Sequence, residues 1–418
     1  MQVSKMAGSL IGSEIIKIGN EVNDMIRKGE QICNLTIGDF DPSIYPIPAE
    51  LATEITQAYQ AGNTNYPPAN GVAELRQSAA EFLRSRLGLD YSPNDILVAG
   101  GSRPLIYATY MALVDPGDKV VFPVPSWNNN HYCHLSGAEG VLVETSPENN
   151  FMPTAAEVAP HLPGATLLAL CSPLNPTGTM FAQKDLEEIC DLVIAENKRR
   201  GPHEKPLYIM YDQIYWLLTF GNTAHYDPVN LRPELRDYVI YIDGISKALA
   251  ATGVRVGYAF GPSNVIDKMK AILGHIGAWA PKAEQMATAH YLPQQAAVDS
   301  YVGSFREKIQ QSLDALYQGL KELQQQGYAV DAIVPMGAIY LTIKLDVLGK
   351  RTPAGQVLSS TKELTSYLIS EARVALVPFS AFGSEDTAPW FRASVGGASL
   401  EAIQAALPRL QAALDKLQ

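Results

Sequence analysis

Seven short apolar runs separated by helical stretches occupy the middle of the chain and restrict its architecture more than any other feature. They lie at 96–99 (ILVA), 119–122 (KVVF), 140–144 (GVLVE), 166–170 (TLLAL), 207–211 (LYIMY), 239–242 (VIYI) and 256–260 (VGYAF). Runs of this length, rich in β-branched residues and without strict alternation, read as strands buried on both faces. Helical patterns stand between them, notably at 102–114 and 183–198. Strands alternating with helices give an α/β fold whose mostly parallel seven-stranded sheet is the middle layer of an αβα sandwich. Ligands of open sheets gather outside the carboxyl ends of the strands, so the residues just past each run carry the functional argument.

The pattern changes towards the C-terminus. A long helical stretch at about 296–326 precedes strand patterns at 339–345 and 391–395, with helices near 361–373 and 399–416. This reads as a smaller α+β lobe, against which a helix over 13–28 packs. The expected division is a large domain over 49–292 and a small domain made of 1–48 and 293–418. The polar stretch 196–206 (ENKRRGPHEKP) reads as a surface loop after a helix.

Several function classes are excluded. A net charge of -11 gives no basic face for nucleic acid, although it leaves room for a local anion pocket. Cys33, Cys133, Cys171 and Cys190 form no C-x-x-C pair, so neither a metal site nor a disulfide framework is expected, and a reducing cytoplasm fits. The most apolar N-terminal stretch, from Leu10 to Ile18, is broken by Glu14 and Lys17, and no run approaches the roughly 18 to 20 apolar residues of a membrane span. Asn34-Leu35-Thr36 matches a glycosylation sequon, which carries no weight without secretion.

The residues past the strands are suited to one kind of chemistry. Lys247, in Asp243-Gly244-Ile245-Ser246-Lys247, is either a solvated charge or an amine that attacks a carbonyl. Arg255, between Gly253 and Gly257, is placed to hold a phosphate with two donors. Asp212 is either a helix cap or an acid that keeps a ring nitrogen protonated; Tyr215 follows it by three residues. Asn175 stands in Asn175-Pro176-Thr177-Gly178, where its amide can face the same ring as Tyr215. Gly100-Gly101-Ser102-Arg103-Pro104 joins a strand to a helix whose free N–H groups cradle an anion; it is not a G-x-G-x-x-G dinucleotide motif. Trp127 can stack on a flat ring or simply fill the core. Arg392, inside an apolar strand, needs an anionic partner, either a substrate carboxylate or an internal acid.

In this order, Tyr66, Gly101-Ser102-Arg103, Trp127, Asn175-Pro176-Thr177-Gly178, Asp212-x-x-Tyr215, Ser246-Lys247, Arg255 and Arg392 resemble the class I and II aminotransferases. The resemblance runs from Leu35-Thr36-Ile37-Gly38-Asp39 to Arg392. It implies the type I fold of pyridoxal-phosphate enzymes, with pyridoxal 5'-phosphate as cofactor, and amino acids and 2-oxo acids as substrates. It also implies a homodimer in which Tyr66 reaches the neighbouring subunit's phosphate, and it places Gly38 at the substrate's carboxylate site. Lys247, Asp212 and Tyr215 take catalytic roles in this comparison. Gly101, Ser102, Arg103, Trp127, Asn175, Ser246 and Arg255 hold the cofactor, while Gly38, Trp127, Asn175 and Arg392 meet the substrate. One departure is Gly244, where the family often has serine, which puts one phosphate contact in doubt. A second is Trp279-Ala280-Pro281-Lys282, in a stretch that often supplies small hydroxyl residues.

The resemblance implies transamination, with aspartate and 2-oxoglutarate as the first pair to assay. A pyridoxal-phosphate β-lyase, or an enzyme like aminocyclopropane-carboxylate synthase, begins with the same α-proton removal and stays open. A non-catalytic sensor of cofactor or amino acid ranks below both, because no basic helix-turn-helix precedes the enzyme-like region. A dicarboxylic substrate needs a second cation, for which Arg103, Lys282 and His275 are the candidates. Trp279 and Tyr45 stand as residues able to favour aromatic or aliphatic side chains.

Overall fold

The computed structural model describes residues 3–10, 12 and 14–418. All seven apolar runs form strands of one sheet. After a short β1 (Cys33–Asn34) come β2 (Ile96–Ala99), β3 (Lys119–Val124), β4 (Glu139–Glu144), β5 (Ala165–Cys171), β6 (Tyr208–Asp212), β7 (Val239–Gly244) and β8 (Gly257–Phe260). Their order across the sheet is β2-β8-β7-β6-β5-β3-β4. Only β8 runs against its neighbours, pairing antiparallel with β2 and β7.

Alternate residues of each strand enter opposite cores. Ile209, Tyr211, Val239 and Tyr241 pack on one face with Leu75, Leu83, Leu186 and Ala287 from the helices Ala73–Leu87, Gln183–Arg200 and Lys282–Tyr291. Met210, Ile240 and Ile242 pack on the other with Leu105, Tyr110, Val265 and Met269 from Ser102–Leu113 and Ser263–Ile276. Each such side chain stabilises by about 1.5–3 kcal/mol when fully buried, which is why these strands are apolar throughout.

The C-terminal part builds a second, four-stranded antiparallel sheet. It contains β9 (Val330–Ala332), β10 (Tyr340–Leu345), β12 (Val377–Pro378) and β13 (Trp390–Ser394), in the order β12-β13-β10-β9, while β11 (Val374–Ala375) pairs in parallel with β1. The helices Gln295–Gln325 and Leu400–Asp415 cover it through Phe305, Leu313, Ile403 and Leu410. The helix expected over 13–28 is observed as Glu14–Arg27, with Ser13 outside the described residues. It meets the C-terminal part through Glu14–Lys362, 3.2 Å. Among the described residues no helix is long and apolar enough to cross a membrane.

The expected loop at 196–206 is corrected in its first part: the preceding helix continues to Arg200, and only residues 201–206 lie outside it. Glu196 and Arg200 pair one turn apart at 2.8 Å, and Arg200 also donates to the carbonyls of Lys205 (2.7 Å) and Leu162 (3.1 Å). The charges that suggested a loop are the groups that hold the last helical turn.

Gly244 and Gly257 face each other across β7 and β8. A Cβ built on Gly244 would stand 2.7 Å from Gly257 Cα and 2.9 Å from the Val256 oxygen. Introducing a serine at this position, Gly244→Ser, therefore costs about 1–3 kcal/mol of stability through overpacking. Urea unfolding of the two proteins measures the difference, and an unchanged midpoint refutes it.

Candidate active site

β2, β3, β5, β6 and β7 run in one direction, so their carboxyl ends share one edge of the sheet. A cavity of about 620 Å3 lies there, lined by Gly38, Ser102, Arg103, Trp127, Asn175, Asp212, Tyr215, Ser246, Lys247, Arg255 and Arg392. Of the residues that the resemblance assigns to cofactor or substrate, only Gly101 and Tyr66 are not part of its wall.

Lys247 enters from the turn after β7, and its Nζ donates to the Gly38 carbonyl at 2.6 Å. Burial pushes the amine down to about 8; Asp39 opposes this, while Arg392, Arg103 and Arg255 add to it. At neutral pH roughly a tenth of such amines are uncharged, several hundred-fold more than for a lysine in water. Asp212 ends β6, and burial pushes its carboxyl up to about 6 despite the Ile214 N–H it accepts at 3.1 Å. A second acid, Asp243, is buried and does not line the cavity; it accepts from Gln213 Nε2 at 3.0 Å and from the Gly244 N–H at 2.7 Å.

At one end of the cavity the helix Ser102–Leu113 presents its N-terminus. Arg255 reaches this turn through Nη2 to the Gly100 carbonyl at 2.8 Å, and through Nη1 to the Thr252 carbonyl at 2.5 Å. Gly101, at φ 92°, leaves open the space that the Arg255 guanidinium fills. Burial and then the neighbouring Arg103 lower the basicity of Arg255, so an anion here relieves a repulsion. Arg103 itself lies over the Trp127 ring, 4.5 Å from its centroid.

On the C-terminal side Arg392 is 1% exposed. Its Nη1 donates to Asn175 Oδ1 at 2.9 Å and its Nη2 to the Thr36 carbonyl, while Tyr340 and Phe382 place their rings 4.8 and 4.9 Å from it. Among the described residues no carboxylate pairs with Arg392, and its Nε has no partner. The internal acid that the sequence left open as its partner is therefore not what holds it. Asn175 engages this guanidinium, and the Tyr215 hydroxyl meets that of Tyr340 at 2.5 Å.

Several further sequence candidates lie away from this chain's cavity wall. Gly244 faces Gly257, so no side chain there reaches the cavity. Lys282 binds Asn65 at 2.8 Å, and His275 lies on the exposed side of its helix; neither lines the cavity. Tyr45 is buried against Phe40 and Phe305. Trp279 packs its ring edge-on to Tyr66 at 5.2 Å, and Tyr66 is 80% exposed. The sequence did not single out Ile15, Ile16, Asp39, Thr252 or Tyr340, all of which line the cavity. Asp39 accepts from Thr252 Oγ1 at 2.6 Å, a pairing across 213 residues. Its signal was its place beside Gly38; Tyr340 had none beyond its strand.

The comparisons with known proteins agree. The family model for aminotransferase class I and II matches residues 30–410. An aspartate aminotransferase of Rhizobium meliloti is 30% identical, covering 100% of this chain and 97% of its own. One from Geobacillus stearothermophilus is 28% identical over 98% of both chains. Among solved structures, the Rhizobium meliloti aspartate aminotransferase superposes with a TM-score of 0.88 at 28% identity, covering 100% of both chains. The Thermus thermophilus aspartate aminotransferase with maleate gives 0.87 at 27% identity, covering 99% of this chain and 100% of its own.

Pyridoxal phosphate, the cofactor of such enzymes, fits the groups present. The helix N-terminus and the two mutually repelling arginines, one of them packed against Gly101, suit a phosphate; Asp212 suits a pyridine nitrogen, and the weakly basic Lys247 an aldehyde. The chain belongs to the class I and II aminotransferases, and it is an enzyme that transfers amino groups with pyridoxal phosphate.

Proposed function

We propose that the enzyme exchanges the amino group of aspartate with 2-oxoglutarate, and that Lys247 both carries the cofactor and moves the proton. The observation that carries this reading is a lysine amine of lowered basicity in the same cavity as a buried arginine with no acidic partner. The named relatives are aspartate aminotransferases, and one solved neighbour holds the dicarboxylate maleate.

In this reading Arg392 and Asn175 take the substrate's α-carboxylate, with Gly38 beside them. Pyridoxal phosphate, when bound, supplies a conjugated ring that draws electrons from the α-carbon. Lys247 Nζ takes the α-proton as a base and returns it as an acid. Asp212 would hold the ring nitrogen, Tyr215 and Asn175 would donate to the phenolic oxygen, and Trp127 would stack on the ring. Gly101, Ser102, Ser246 and Arg255 would hold the phosphate, together with the partner subunit's Tyr66. Arg103, expected at the phosphate, is also the one second-carboxylate candidate that lines the cavity.

A homodimer is supported by the exposure of Tyr66, which does not line its own chain's cavity. The division into 49–292 and 1–48 with 293–418 is supported by a second apolar core built mostly from 1–48 and 293–418, which residues within 214–220 and Ala250 also join. Cytoplasmic residence accords with four free cysteines.

Aspartate alone is expected to convert the holoenzyme's cofactor to its aminated form with release of oxaloacetate, seen in the absorbance spectrum. A screen of common amino acids in which aspartate fails, or in which a substrate with a β-leaving group yields pyruvate and ammonia, overturns the reading. Lys247→Ala lowers turnover by roughly a thousand-fold or more, and full turnover in that variant refutes its role. Only the neutral amine attacks an aldehyde, so covalent cofactor uptake by the apoprotein accelerates with rising pH. It levels off near pH 8 rather than climbing through pH 10, as stopped-flow absorbance checks. Arg103→Gln raises the KM for aspartate about 10–100-fold with little change for alanine if this arginine holds the second carboxylate. An equal loss for both with weaker cofactor binding assigns it to the phosphate.

A further inference from the structure

Three contacts converge on Tyr340, a residue of β10 that is fully buried. Its ring lies under the Arg392 guanidinium, 4.8 Å from the centroid. Its hydroxyl is 2.5 Å from that of Tyr215. The same hydroxyl occupies the space that a side chain on Gly38 would need. Arg392 stands on the neighbouring strand β13, whose Ala393 and Ser394 pair with Leu341 and Tyr340, so the ring and guanidinium share a rigid sheet.

We propose that Tyr340 is a positioning residue that joins the carboxylate-binding arginine to the hydroxyl that faces the cofactor. The proposal rests on the placement of Tyr215 at the phenolic oxygen given above. Either hydroxyl can donate in the pair. A hydroxyl has one proton, so when Tyr215 gives its own to the phenolic oxygen, it must accept from Tyr340. Tyr340 then acts as the outer donor of a two-step chain, and each bond polarises the next. The outer bond makes Tyr215 a stronger donor and so favours the ionised phenolic oxygen. The ring acts independently of the hydroxyl. With Phe382 it packs against Arg392, holding the guanidinium that meets the α-carboxylate. One side chain thereby serves both halves of the site through different atoms.

The two roles separate by substitution. In Tyr340→Phe the ring stays and the hydroxyl goes. The pH midpoint of the bound cofactor's absorbance is expected to rise by about half a unit, less than in Tyr215→Phe, with KM for the amino acid changed less than about two-fold. In Tyr340→Leu the ring goes as well, and KM rises by about ten-fold or more. Thermal unfolding of both holoenzymes identifies any folding loss, and the absorbance titration needs no turnover. If Tyr215→Phe moves the midpoint and Tyr340→Phe does not, the coupling proposed here is wrong while the role of Tyr215 stands. If neither moves it, Tyr215 does not face the phenolic oxygen, and the proposal falls with that reading.

Discussion

The active-site edge depends on a place where three stretches of backbone touch with no side chain between them. A Cβ on Gly257 would lie 2.6 Å from the Gly101 carbonyl carbon and 2.8 Å from the Ser102 nitrogen, while one on Gly244 would strike Gly257 itself. The turn ahead of the helix Ser102–Leu113, the strand β8 and the end of β7 therefore stack at backbone distance. This contact brings the helix N-terminus, Arg255 and the Ser246-Lys247 turn to one wall of the cavity. Glycine is required because close approach, not flexibility, is what the site uses.

The electrostatics follow from that convergence. A chain of net charge -11 gathers Arg103, Lys247, Arg255 and Arg392 around one cavity. Of these, the amine is the group that yields: guanidinium stays charged, so burial and repulsion act on the lysine and push it to about 8. Asp212 shifts the other way, to about 6, because burial outweighs the Lys247 charge that favours its ionised form. An acid raised and an amine lowered within one cavity are arranged for proton traffic near neutral pH.

The large sheet was legible because its strands are buried on both faces and so read as continuous apolar runs; each of the seven runs is a strand. The residues past those strands were legible for the same reason, since the parallel strands must deliver them to one edge. What stayed hidden depends on contacts between distant parts of the chain. Tyr340 and Tyr215 meet across 125 residues, and Arg392 finds Asn175 across 217, with nothing in either local pattern to announce the partner. Residues 196–200 misled in the opposite way, because a run of charges looks solvated until Glu196 and Arg200 are seen to bury each other. Gly244 read as a departure that puts a phosphate contact in doubt, and the strand pairing adds that its backbone packs directly against Gly257.

The surroundings of Arg392 bear on selectivity. Its partners are an amide oxygen, a carbonyl and two aromatic faces, all without formal charge, so the fully buried cation is solvated but not neutralised. Burial lowers its basicity without discharging it. An acid in that position would satisfy the arginine permanently and compete with any ligand. Neutral partners instead hold the guanidinium in place while leaving its charge for a carboxylate to meet. A molecule that lacks the carboxylate then leaves a buried charge uncompensated, a larger penalty than the loss of one surface contact. On the proposed reading, in which Arg392 meets the α-carboxylate, this arrangement would let the pocket distinguish α-amino acids from simple amines before any proton moves.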